Sequence, residues 1–130
     1  MQNIISGTGS YIPKIKMKNE DFLSNEFYNE AQIRLPNSND VIIKKFQAIT
    51  GISERRYLTD HLKNSDIATT AAKRAITASG VNSEELDYII VAQNFGDVAY
   101  NSTQCDMLPS LASRVKYNLK IKNPNCVAYD

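Results

Sequence analysis

At 130 residues, with 42% hydrophobic and 22% charged residues, the chain has ordinary globular composition and enough length for one real core. A net charge of +1 with interspersed signs supplies no field for nucleic acid or an anionic membrane, and no apolar run approaches membrane-spanning length. The opening Met1-Gln2-Asn3-Ile4-Ile5-Ser6 has neither region of a signal peptide, and two cysteines make no disulfide framework, so the expected compartment is the cytoplasm.

In chain order, Ile4 to Pro13 reads as a first strand, interrupted by Gly7 and Gly9 and ended by Pro13. A Gly-x-Gly pair cradles phosphate in a strand–turn–helix setting with a third glycine, and both are missing here. The two glycines therefore read as a bulge or a close backbone approach. Residues 14–50 are the least legible. Asn19 starts a short helix through Leu23, Leu35 to Asp40 is loop chemistry, and Asp40 caps a second helix. Val41, Ile42, Phe46 and Ile49 lie at helical spacing in it, and Gly51 sits at its C-cap. Ser53 to Tyr57 reads as a connector, where Arg55-Arg56 is either a phosphate contact or, beside Glu54, a solvated ion-paired turn.

The clearest helix follows, with Ser65 as N-cap, Asp66 at the positive end of the dipole and Gly80 closing it. Its apolar stripe is Ile67, Ala68, Ala71, Ala72, Ala75 and Ile76, which allows close approach to a partner surface. After a short turn from Asn82 to Leu86, the stretch from Asp87 to Asp130 reads as strand, loop, helix, strand, a single βαβ unit with a right-handed crossover. Tyr88 to Ala92 is a continuous apolar run, as in a strand covered on both faces. The loop Phe95 to Asp106 is long for a βα connection and stands where α/β proteins place ligand sites. Pro109 suits N1 of a helix presenting Leu111, Ala112, Val115 and Leu119, and Lys116, Lys120 and Lys122 gather at its negative end.

Little chemistry is visible by spacing alone. His61, the one histidine, lies beside Asp60 in a polar connector and is either a base or a surface residue. Cys126 heads a buried strand and reads as core, whereas Cys105 in the long loop is the better candidate for a reactive thiol. One histidine and two separated cysteines make no closed zinc site, so no metal is expected.

Six segments nevertheless occur in a familiar order. They are Ile5 to Pro13, Thr50 to Arg56, the Asp66 to Gly80 helix, Leu86 to Ala92, Leu108-Pro109-Ser110 and Cys126 to Asp130. Together they resemble the N-terminal part of β-ketoacyl-acyl-carrier-protein synthase III, a condensing enzyme of the thiolase superfamily. The resemblance implies an α/β fold: a partial thiolase-like fold with a mixed sheet, a βαβ unit and flanking helices. Residues 1–130 would form a single N-terminal fragment of a thiolase-like half-domain, with 18–64 as an insertion or connector region. It implies acyl transfer to a cysteine, then decarboxylative Claisen condensation with malonyl-carrier protein. The nucleophile would lie a few residues past Asp130, leaving no catalytic residue in this chain and the fragment inactive alone. Cys126 would match a strand residue, and His61 no catalytic position.

The resemblance carries two expectations about substrate. Typical members hold the adenine of coenzyme A between a tryptophan and an arginine, but this chain has no tryptophan, and Ile49 stands at the arginine's place. A donor other than the typical one is therefore expected, for instance a carrier-protein-bound acyl group; the full-length enzyme would take a coenzyme A thioester or an acyl-carrier-protein thioester as substrate, with no cofactor bound covalently. Leu108 stands where the family places a bulky residue that reaches across the dimer into the partner's acyl tunnel. It has two readings, an acyl-tunnel residue or a plain hydrophobe at a helix start. Expected partners are a second copy, as a homodimer or in higher self-association, and an acyl carrier protein for the full-length enzyme, with no nucleic acid and no membrane. The rival reading is a short non-catalytic α/β module that dimerises or binds through its βαβ surface.

Overall fold

The computed structural model describes residues 3–130, which form two compact units, Pro13–Leu58 and the remainder, residues 3–12 with 59–130. In the first, β1 (Ile15–Lys18) pairs antiparallel with β2 (Glu54–Tyr57), Ile15 opposite Tyr57 and Lys18 opposite Glu54. Between them, Asn19–Phe22 makes a 3-10 turn, its start held by the Asp21 carboxylate accepting from the Lys18 amide at 2.6 Å. The helix α1 (Asn39–Thr50) follows, with Ser38 at its N-cap and Gly51 at its C-cap in the left-handed region. Asp40 thus lies inside the first turn and is not the cap; the Ser38 hydroxyl donates to it and holds its carboxyl below the usual value. Ile42 and Ile43 are the buried residues of α1, and Phe46 meets Phe27 edge-on at 5.9 Å.

The second unit contains α2 (Asn64–Ser79), β3 (Tyr88–Ile90), β4 (Asp97–Val98), β5 (Cys105–Asp106), α3 (Leu111–Asn118) and β6 (Val127–Tyr129). Helix α2 begins one residue before Ser65: Lys63 is the N-cap, and its amide donates to the Asp66 carboxylate at 2.9 Å. Ser65 is instead buried in the first turn, where it contacts Asp97. Gly80 ends the helix, as the sequence predicts.

Residues 4–13, predicted as a first strand, form no strand among the described residues. Residues 7–10 instead lie against α2, and the two glycines are what permit it. A Cβ on Gly9 would fall on the Ala71 carbonyl and the Ala75 amide, and one on Gly7 on the Ala75 carbonyl and the Ser79 amide. The alanine stripe and the two glycines are therefore halves of one close approach, and the Arg74 guanidinium secures it by donating to the Ser10 carbonyl at 2.6 Å.

The predicted βαβ unit is present. β3 pairs parallel with β6, Tyr88 opposite Val127 and Ile90 opposite Tyr129, and α3 crosses between them. The Val91 amide extends the ladder to the Tyr129 carbonyl at 2.8 Å. Leu111, Ala112 and Val115 of α3 lie in the core with Ile121 and Cys126. Pro109 precedes the helix and does not occupy N1: Ser110 is the N-cap, accepting from the Ser113 amide at 3.2 Å. The strands form three two-stranded pairs, β1–β2, β3–β6 and β4–β5. The apolar run at β3 is covered on one face only. Tyr88 and Ile90 are 61% and 75% exposed, and Val127 and Tyr129 beside them are exposed as well.

Candidate functional site

The site is built where β3 and β6 end. Asp130, directly after β6, turns its carboxylate onto the first turn of α3 and accepts from the Leu111 amide at 2.7 Å and the Ala112 amide at 2.6 Å. Those amides have no helical partner of their own, so the carboxylate fills them and meets the positive end of the dipole. Burial by itself pushes the Asp130 carboxyl up, but the Ala112 and Leu111 amides, with Ser110 and Gln93, outweigh it and leave it below its usual value. Gln93 Nε2 donates to Asp130 at 3.3 Å, while its Oε1 is buried without a hydrogen-bond partner among the described residues. An open cleft of roughly 460 Å³ lies here, floored by Ala68 and Ala71 of α2 with Val91 and Ala92 and edged by Gln93 and Leu111. Carboxyl ends of parallel strands are the usual ligand position in α/β folds.

The long loop between β3 and α3 is ordered as a short hairpin: β4 and β5 pair antiparallel, Asp97 opposite Asp106 and Val98 opposite Cys105. Its base is a buried carboxylate. Asp97 is 2% exposed and accepts from the Ser65 amide at 2.8 Å, the Ser65 hydroxyl at 2.6 Å and Arg114 Nη1 at 3.1 Å. A buried charge is tolerable only with such a full set of donors. Arg114 uses the rest of its fork on the end of the loop: Nε donates to the Pro109 carbonyl at 2.9 Å, and Nη2 to the Leu108 carbonyl and to Asp106, each at 2.8 Å. The guanidinium holds the Asp106 carboxyl below its ordinary value. At the other side, the Gly96 amide meets Met107 Sδ at 3.2 Å.

Leu108 emerges from this frame 84% exposed, with its carbonyl fastened. Of the other residues singled out by sequence, Cys126 is buried in the core and Cys105 is exposed on β5, both as free thiols. His61 is exposed in the turn before α2. Arg55 and Arg56 lie on β2, not in a connector, where Arg55 donates to the Asn19 side chain and Arg56 pairs with Glu54 at 3.5 Å. No cluster of three or more metal-ligating side chains forms among the described residues. Sequence reasoning missed Asp97 and Arg114. A signal for Arg114 was present, a charged residue at the margin of the apolar stripe Leu111, Ala112, Val115.

No family model matches the chain. Single relatives do. A β-ketoacyl-[acyl-carrier-protein] synthase III of Neisseria meningitidis is 36% identical over 126 residues, which is 97% of this chain and 32% of that protein. A crystal structure of 3-oxoacyl-[acyl-carrier-protein] synthase III from Aquifex aeolicus superposes with a TM-score of 0.64 at 30% identity, over 97% of this chain and 34% of the other. The chain is synthase III-like. It corresponds to the N-terminal part of such a protein and spans about a third of the length of the curated relatives it matches. Its α/β fold is thiolase-like, as OleA of Xanthomonas campestris also shows, with a TM-score of 0.66 at 22% identity, over 97% of this chain and 32% of that one. The six segments in register thus carried the resemblance correctly. The synthase III-like chain contains no helix long and apolar enough to cross a membrane among its described residues.

Proposed function

We propose that this chain is the N-terminal part of a condensing enzyme that moves an acyl group onto a cysteine and joins it to a malonyl-carrier protein with loss of carbon dioxide. The observation that carries the reading is the 36% identity maintained along 97% of the chain. In this reading the reacting groups come from the part of the enzyme outside the matched third, and this part supplies the support for them. Asp130 ties the end of β6 to α3, so whatever follows β6 starts from a fixed point beside the cleft. Acyl carrier protein is the partner, in keeping with the relatives' printed names, and the enzyme works in the cytoplasm.

The acyl donor differs from coenzyme A. Ile49 is 71% exposed at the end of α1 and offers neither ring nor cation to an adenine. Leu108, exposed at the end of the clamped loop, meets the acyl chain of a second copy and limits its length. Intact mass of the complete gene product after exposure to acyl-carrier protein or to acyl-coenzyme A tests the donor. The expected result is one acyl group added faster from the carrier protein; faster loading from coenzyme A contradicts the donor assignment, and no loading from either contradicts the enzyme.

A further inference from the structure

We propose that Arg114 and Asp97 are positioning residues for acyl selection: they hold the backbone at Leu108 so that its side chain stands at one depth in the acyl site. This rests on the reading that Leu108 meets the acyl chain. Three features of the arrangement support the role. Asp97, on β4, is buried against the first turn of α2 and held there by two bonds from Ser65. Arg114 belongs to α3 and spans from that anchor to the two carbonyls on either side of the Leu108–Pro109 link. Its remaining contact, Asp106, ends the hairpin strand two residues before Leu108. One planar group thus ties the loop's end to both helices, while Leu108 itself is 84% exposed.

A guanidinium can serve these acceptors together because its five donors sit in a rigid fork; an ammonium is a single point that reaches one or two. Arg114→Lys therefore keeps the charge opposite Asp97 but releases the carbonyls. The complete gene product is tested as wild type, Arg114→Lys, Leu108→Ala and the double variant, reading kcat/KM for short, medium and long acyl-carrier-protein thioesters. A change in the ratio between chain lengths reports positioning, whereas partial unfolding lowers all three together. The expected result is a ratio shifted about tenfold by Leu108→Ala, in the range typical of pocket discrimination, a shift of about fivefold by Arg114→Lys, and no further shift from Arg114→Lys in the Leu108→Ala background. If Leu108→Ala moves the ratio and Arg114→Lys does not, the clamp is overturned and the acyl role of Leu108 stands. If neither moves it, the acyl role fails and the clamp with it. Should Arg114→Lys be poorly folded, Asp97→Asn, which retains the acceptor for Ser65 but loses the charge facing Arg114, is read by the same ratios and the same criteria.

Discussion

Glu84 shows how single side chains define this structure. It lies in the 3-10 turn before β3, and its carboxylate accepts from the backbone amides of Lys122, at 3.0 Å, and Asn123, at 2.8 Å, in the loop that leads into β6. The Lys122 amide is the main reason its pKa falls below the ordinary 4.5, against an opposing push from burial. A depressed carboxylate stabilises fully above the unfolded value and loses that contribution as pH falls through the folded one. The stability difference between wild type and Glu84→Gln should therefore be flat above about pH 4.5 and shrink below it. Denaturant unfolding across pH checks this, and a difference that grows on acidification contradicts it. Lys116 works on the same loop from α3, donating to the Asn123 carbonyl at 2.9 Å and the Cys126 carbonyl at 2.6 Å. None of these long-range pairs was legible in the sequence, because Glu84 and Lys122 are 38 positions apart and each reads as an ordinary surface charge.

At the scale of elements, what was legible had a local signature. Gly51 and Gly80 mark their helix ends because a left-handed residue there is a demand of the chain itself, and the stripes of α2 and α3 follow from helical spacing. β2 was missed because Glu54-Arg55-Arg56-Tyr57 has no apolar alternation; its pairing with β1 decides it. The segment at residues 4–13 erred the other way. Its β-branched residues suit a strand, but its glycines are there for contact with α2. Gly9→Ala should destabilise by about 1–3 kcal/mol, since helix backbone cannot yield to the new Cβ as a side chain would. Val115→Ala, at a position 1% exposed between α3 and the β3–β6 pair, should cost about 2 kcal/mol. Thermal or denaturant unfolding measures both, and a neutral Gly9→Ala would show that residues 7–9 do not pack on α2 in solution.

At the scale of residues 3–130 taken together, the open face of the β3–β6 pair stands out. Tyr88, Ile90, Val127 and Tyr129 stand exposed together, and covering them is worth roughly 5 kcal/mol, comparable with the net stability of a small domain. A chain of these 130 residues should therefore self-associate. Sedimentation should show a concentration-dependent mass that Ile90→Ser with Tyr129→Ser reduces, and a monomer at every concentration would contradict it. The resemblance was legible because six separated segments kept order and spacing; the clamp behind Leu108 was not, because its parts come from β4, α2 and α3. The measurement that bears most directly on the central claim is condensation by the complete gene product, supplied with an acyl-carrier protein and malonyl-carrier protein. The expected products are a 3-oxoacyl-carrier protein and one carbon dioxide per bond formed; a pure, folded gene product that yields neither would contradict the proposed condensation.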